Sequence, residues 1–289
     1  MTVFIREIAT PINIYSIDLH NSILYFGDGT MDRYVEKYNV YAYNILTDSL
    51  NNLFSGPFSG PFLPDFGLSS IGISSDGTKL FGCGSDLNQV YYANINGLSA
   101  SFGSSISQSS FDINLGCCQG NIIVLNNSQF IVANGARGNL ALITIDSISS
   151  TFTLSDWTKI FKIGKPVGVT TDGIYIYSID RFDNTIIRTK YQTTLPSSPL
   201  DVTRINIPGT TKPQTPSDIV YYNSKLYITD SQMSIFIYDV SGGNITFSTI
   251  ITPQTQPFAI TKNGYFSRAS PLNVSLGVIP TFNIISRLL

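Results

Sequence analysis

The sequence carries little charge. Lys, Arg, Asp and Glu make up 12% of the 289 residues, about half of the share usual in soluble proteins. The 17 basic and 19 acidic residues give a net charge of −2, so the basic surface of a nucleic-acid-binding protein is missing. No uncharged apolar run approaches the roughly 20 residues that a membrane-spanning helix needs. We therefore expect neither a nucleic-acid partner nor a transmembrane segment.

Histidine and cysteine are also scarce. His20 is the single histidine, which leaves little room for acid–base chemistry or histidine-based metal sites. The three cysteines, Cys83, Cys117 and Cys118, are too few for a disulfide-stapled scaffold and have no histidine at zinc-site spacing. We expect them to be small buried side chains of strands. The sequence also allows one disulfide, between Cys83 and either Cys117 or Cys118.

Apolar and turn-forming residues dominate instead. Hydrophobic residues make up 43% of the chain and aromatic residues 12%, which supplies a large core and excludes intrinsic disorder. The apolar residues alternate with polar ones or form short β-branched and aromatic runs. Gly, Pro, Asn-Ser and Asp-Gly break these runs, a pattern typical of strands joined by tight turns. The sequence therefore predicts an all-β protein.

One hairpin recurs along the chain. PSDIVYYNSKLYITD from Pro216 predicts strand, turn, strand and a final Asp, and PVGVTTDGIYIYSID from Pro166 repeats the same plan. Six copies place an apolar residue at the same point of the second strand: Leu24, Leu80, Phe130, Ile176, Leu226 and Tyr265. One or two further strand-like runs follow each of the first five. Spacings of roughly 40–50 residues with four strands per unit are typical of β-propeller blades.

The sequence thus predicts one domain, a six-bladed β-propeller of four-stranded antiparallel blades. The last copy is short, and residues 2–9 form an alternating strand before the first blade, so we expect them to supply the outer strand of the last blade. A β-sandwich or a viral jelly roll is the structural alternative, but neither needs six similar hairpins. The predicted blades span residues 11–60, 61–115, 116–160, 161–210, 211–255, and 256–289 with 2–9.

Three segments carry a family resemblance. FIVANGARGNLALITID, IYSIDRFDNTIIRTKY and LYITDSQMSIFIYDV resemble the second-to-third strand segment of NHL-type and YWTD-type six-bladed propellers. In that superfamily, the second strand of each blade ends on the face that usually binds ligands. The resemblance therefore implies a partial ring there, formed by Asp28, Asn134, Asp180 and Asp230. Arg181 and Asp218 are expected beside it.

Two interpretations of this ring remain open. Hard cations such as calcium prefer clustered carboxylate and amide oxygens, so the ring could hold a metal ion or a polar ligand. Alternatively, each Asp or Asn binds the backbone of its own loop, which the repetition favours because a catalytic residue need occur only once. A calcium-dependent lactonase-like hydrolase, similar to gluconolactonase-type propellers, would also need a Glu near the first inner strand. The nearest candidate, Glu7, departs from that pattern.

A Phe-rich segment is a candidate for partner binding. Residues 54–66, FSGPFSGPFLPDF, space Phe54, Phe58, Phe62 and Phe66 with Gly and Pro. Gly and Pro constrain the loop while the rings supply contact area. The rings either tuck under the loop or form an apolar patch that suits a protein partner. With Arg181 and Asp218 they form the predicted partner-binding set.

Composition favours an outward-facing protein. A neutral Ser-, Thr-, Asn- and Tyr-rich surface loses little stability in acid, and weak self-repulsion permits assembly. With one histidine and no nucleophile-elbow motif, we predict no catalytic residue and no cofactor other than calcium. We therefore expect a non-catalytic interaction module on a virion or cell surface that binds a protein, an assembly or a host glycan. Arg6 and Glu7 stand where a Sec signal peptide would be apolar.

Overall fold

A computed structural model describes twelve stretches of the chain. They are residues 14–28, 39–55, 68–84, 89–107, 121–135, 137–146, 151–159, 164–230, 234–252, 257–260, 265–268 and 277–278. Strands and turns make up these stretches. Within them, no helix is long and apolar enough to cross a membrane.

The first three sheets are four-stranded, and we call them blades 1 to 3. Blade 1 contains β1 (Ile14–His20), β2 (Ile23–Asp28), β3 (Asn39–Asn44) and β4 (Ser49–Ser55). Blade 2 contains β5 (Leu68–Ile73), β6 (Lys79–Gly84), β7 (Gln89–Asn96) and β8 (Ser99–Ser107). Blade 3 contains β9 (Ile123–Asn126), β10 (Gln129–Asn134), β11 (Asn139–Asp146) and β12 (Thr151–Asp156).

Two more four-stranded blades and a smaller sheet follow. Blade 4 contains β13 (Pro166–Thr171), β14 (Tyr175–Asp180), β15 (Thr185–Lys190) and β16 (Thr203–Asn206). Blade 5 contains β17 (Pro216–Tyr222), β18 (Lys225–Asp230), β19 (Ser234–Ser241) and β20 (Asn244–Ile251). The sixth sheet contains β21 (Pro257–Ile260), β22 (Tyr265–Arg268) and β23 (Gly277–Val278).

The sheets are arranged as in a propeller. Within each sheet the strands lie in chain order, and neighbours pair antiparallel. The first strands of consecutive sheets contact one another, and β21 contacts both β17 and β1. The sheets therefore follow one another around a channel that the first strands line. This confirms the prediction of an all-β propeller with four-stranded antiparallel blades.

The predicted number of complete blades was too high. Five sheets have four strands, and the sixth has three within the described residues. The shortened last copy of the hairpin forms only short strands there, of 4, 4 and 2 residues. Residues 2–9, predicted to supply the missing strand, lie outside the described stretches.

The repeat itself is confirmed. The six apolar residues that mark the repeated hairpin all lie in the second strands of their sheets: Leu24, Leu80, Phe130, Ile176, Leu226 and Tyr265. The turns use the residues that tight hairpins require. Asn223 and Ser224, for example, have φ angles of 47° and 58°, the left-handed pair of a type I′ turn.

The apolar core lies between the blades. The second strands β10, β14 and β18 are buried at every position after the first, because a neighbouring blade covers each face of the sheet. Tyr177 and Ile179 of blade 4, for example, pack with Leu226 and Ile228 of blade 5. By contrast, the outer strand β20 is mostly exposed. This layering explains why the inner hairpins are continuous apolar runs rather than alternating ones.

Polar side chains link the first strands of neighbouring blades. The Ser16 hydroxyl oxygen accepts the Ile71 N–H at 2.8 Å, and Asp18 Oδ2 accepts the Ile73 N–H at 2.8 Å. Thr170 Oγ1 accepts the Tyr221 N–H at 2.9 Å. The inner edge of a first strand has no strand partner, so these side chains satisfy backbone donors that would otherwise be buried unpaired.

Truncating one interblade side chain should destabilise the whole ring. Leu226→Ala removes a fully buried side chain from the cluster between blades 4 and 5, which should lower the free energy of unfolding by about 2–5 kcal/mol. The control is Ile174→Ala, which truncates a side chain that is 67% exposed and should cost less than about 0.5 kcal/mol. Urea denaturation measures both. Equal losses would contradict an interblade core.

Alkaline pH should weaken the contact between blades 1 and 2. The Tyr25 hydroxyl donates to the Gly97 carbonyl at 3.0 Å, and burial raises the pKa of Tyr25 to about 12. A tyrosine in the unfolded chain ionises near pH 10, so this contribution to stability is complete below pH 10 and is lost as the pH rises to about 12. Urea denaturation across this range should show a flatter pH dependence for Tyr25→Phe than for the wild type. Identical slopes would exclude Tyr25 as a cause.

Candidate functional site

Asp180 lies at the upper face, by which we mean the face where first strands begin and second strands end. Its side chain is 0% exposed. Oδ1 accepts the N–H groups of Lys165 at 2.9 Å and Phe182 at 3.0 Å, and Oδ2 pairs with Arg204 Nη1 at 3.0 Å. The carboxylate therefore fixes both the start of blade 4 and the loop that follows β14.

Asp230 occupies the same position in blade 5 and is also buried. Its carboxylate accepts the Gln214 N–H at 2.6 Å and the Thr215 hydroxyl at 2.8 Å. In both blades the Asp lies opposite the Pro that begins the first strand, Pro166 or Pro216. Because proline has no N–H, the Asp accepts N–H groups from the residues just before it.

Asn134 ends β10 of blade 3 and is fully buried. Its Oδ1 accepts the Arg137 N–H at 3.4 Å, while its Nδ2 has no hydrogen-bond partner among the described residues. Its strand partner Asn139 donates to Asp156 Oδ1 at 2.6 Å. Asp28 ends β2 at the same face, but its side chain lies outside the described part of the structure.

The described residues do not gather a metal-binding set. In those stretches, no group of three or more His, Cys, Asp or Glu side chains is placed to hold a metal ion. Asp180 and Asp230 instead contact the backbone of their own blades, as the structural interpretation of the ring expects. A calcium site on this ring stays a prediction.

Asp218 is an internal link between blades. It lies in β17 and is fully buried, and its Oδ1 accepts the N–H groups of Ile219 at 2.8 Å and of Asn121 in blade 3 at 2.9 Å. It reaches Asn121 past Gly168 of blade 4, where a Cβ atom would lie 2.5 Å from Oδ1. Predicted as a partner-binding residue, Asp218 has no exposed surface to offer a partner.

The loop between β14 and β15 presents an exposed aromatic ring at the upper face. Phe182 is 71% exposed, although its own N–H is bound to Asp180. Asp183 Oδ1 accepts the Thr185 N–H at 3.1 Å and the Thr185 hydroxyl at 2.6 Å, and Asp183 Oδ2 pairs with Arg204. Phe182 therefore lies on a loop that is held at both ends.

Sequence reasoning missed Phe182. It lies in DRFDNTI, a segment from which only Asp180 and Arg181 were predicted as site residues. Arg181 is in the same loop, half-buried, and its N–H donates to the Lys165 carbonyl at 2.9 Å. The signal that could have found Phe182 is a large aromatic between two Asp residues in a polar loop.

Most of the predicted Phe-rich segment lies outside the described residues. Phe54 belongs to β4, but its side chain lies outside the described stretches, as do Phe58, Phe62 and Phe66 entirely. The strands of a blade alternate in direction, so the end of β4 lies at the upper face, as the β14–β15 loop does.

No protein-family model matches the sequence, and no curated protein matches it. Solved structures do match. A nidogen/laminin complex structure shares 16% identity at a TM-score of 0.59, over 90% of this chain and 86% of that one. A luciferin-regenerating enzyme shares 11% sequence identity at a TM-score of 0.62, over 97% of this chain and 95% of that one. A putative 6-phosphogluconolactonase from Bacteroides uniformis shares 14% sequence identity at a TM-score of 0.58, over 90% of this chain and 80% of that one. These likenesses show the propeller fold alone.

Removing the Asp180 carboxylate should destabilise the fold whether or not calcium is present. Asp180→Ala leaves the N–H groups of Lys165 and Phe182 without their acceptor and Arg204 without its buried partner, which should cost about 3 kcal/mol. Asp201→Ala is the control, since that carboxylate is 83% exposed in its pair with Lys159 and should cost less than about 1 kcal/mol. Thermal melts with calcium and with chelator measure both. A loss that appears only with calcium would support a metal site instead.

Proposed function

We propose that this chain is a non-catalytic binding module that holds a protein partner on its upper face through Phe182. The observation that carries the proposal is the contrast within one loop. The Asp180 carboxylate is buried and accepts backbone N–H groups, while the next-but-one residue exposes 71% of an aromatic side chain.

The physics of binding favours such a residue. A few aromatic and Arg side chains carry most of the energy of a typical protein interface. A ring on a loop that is already ordered costs less conformational entropy when it binds. The hydrogen bonds of Asp180 and Asp183 supply that order, and Arg181 beside the ring adds a charged group to the rim.

The alternative is a calcium-dependent lactonase-like hydrolase. It is supported by the likeness to putative 6-phosphogluconolactonases, which concerns the fold. In the described stretches of the upper face, the carboxylates of Asp180 and Asp230 accept donors of the chain itself. We therefore favour binding over metal-dependent catalysis.

Two finer parts of the proposal concern the location of the protein and the closure of the propeller. The neutral, low-charge composition supports an outward-facing module on a virion or cell surface, with a protein or glycan of a host as the partner. The sixth sheet is proposed to be a sixth blade whose fourth strand is residues 2–9. Its contacts with β17 and β1 support this arrangement.

Site-specific crosslinking tests the partner-binding face. A photo-reactive phenylalanine analogue is placed at Phe182 or, as the control, at Ile174, which is 67% exposed in the turn at the opposite face. We expect a discrete crosslinked protein in the native source from position 182 and none from 174, and we expect Phe182→Ser to abolish co-purification of that protein. Crosslinking equally from both positions, or from neither, would contradict the proposal.

A further inference from the structure

A cavity of about 220 Å³ lies among the first strands of five blades. Residues of β1, β5, β9, β13 and β17 line it, so it occupies the central channel. Ile73 ends β5, Ser75 lies in the following turn, and Thr171 ends β13. Tyr191 directly follows β15. These residues mark the lower face, where first strands turn into second strands, so the cavity lies away from Phe182.

The wall of the cavity is mixed in character. Aliphatic side chains of β9, β13 and β17 form its apolar part: Ile123, Val124, Val169 and Val220. Ser75 and Tyr191 add hydroxyl groups, and among the described residues neither hydroxyl has a hydrogen-bond partner. An apolar wall with a few placed polar groups is the usual composition of a small-molecule site.

One fixed carboxylate faces this space. Asp18 Oδ1 accepts the Leu19 N–H and Oδ2 accepts the Ile73 N–H, both at 2.8 Å, which holds the group in one orientation. Among the described residues that line the cavity, Asp18 carries the only charge. A phosphate or carboxylate ligand would meet this like charge, and the described lining residues include no lysine or arginine to pair with it.

The volume limits the ligand. Liquid water fills about 30 Å³ per molecule, so the cavity corresponds to about seven waters. Sites for drug-sized molecules start at about 300 Å³. Since bonded atoms pack more closely than separate waters, a single ring with roughly ten heavy atoms fits.

We propose that this cavity binds a small neutral hydroxylated molecule, of the class of a monosaccharide or cyclic polyol. The ligand's hydroxyls donate to the Asp18 carboxylate and exchange hydrogen bonds with Ser75 and Tyr191, while its C–H faces pack against the aliphatic wall. This site is independent of the proposed partner-binding face, since the cavity lies toward the lower face of the propeller and Phe182 lies at the upper face.

Ligand-observed NMR and calorimetry on the full chain test the site. The neutral probes are glucose, galactose, mannose, fucose and myo-inositol, and the charged probe of matched size is glucuronate. We expect at least one neutral probe to bind with a Kd of about 1 mM, and the charged probe to bind at least about tenfold more weakly. No saturable binding of any neutral probe below about 50 mM would overturn the proposal and assign the cavity to water.

Two variants locate the binding. Ser75→Tyr fills the rim from an exposed turn position and should abolish binding, while Tyr191→Phe removes one hydroxyl and should weaken it about 3- to 10-fold. Ser241→Tyr, at an exposed position in the outer hairpin of blade 5, is the matched control and should bind as the wild type does. Unchanged affinity in Ser75→Tyr, or a charged probe that binds as tightly as the neutral ones, would overturn the proposal.

Discussion

The first strand of each blade has, within the described residues, one backbone edge without a strand partner. Each first strand pairs with a second strand on one side only, and its other edge faces the channel. Buried backbone donors on that edge need partners. Side chains of neighbouring first strands supply them, through Ser16, Asp18 and Thr170. Asp218 of blade 5 likewise accepts the Asn121 N–H of blade 3. Gly168 of blade 4 lies between them and has no side chain to obstruct this contact.

The same constraint shapes the candidate sites. Acids are scarce in this chain, and several of them act as acceptors for its own backbone, at the inner edges and at the ends of second strands. Asp180 and Asp230 hold the loops of the upper face in place. The groups that we propose to meet other molecules are an exposed phenyl ring on one braced loop and, at the other face, the hydroxyls and the Asp18 carboxylate of the channel cavity.

Much of the fold could be predicted from local patterns. The Pro-to-Asp hairpin recurs with its turn residues, so Leu24 to Tyr265 mark the second strands in order, and β-propeller spacing follows. The role of Asp218 could not be predicted, because its partner Asn121 lies 97 positions away and no local pattern encodes that contact. The exposure of Phe182 likewise depends on which residues the neighbouring blades cover. The sixth sheet has three strands within the described residues, one fewer than predicted.

Native-state hydrogen exchange of individual backbone amides shows whether these side-chain acceptors hold neighbouring blades together. The N–H groups of Ile71, Ile73, Asn121 and Tyr221 lie at inner edges and donate to side chains of other blades. We expect these amides to exchange only through global unfolding, as slowly as the amides of β14 and β18. Exchange as fast as that of an exposed turn amide such as Gly242 would show that the side-chain acceptors do not hold the blades together.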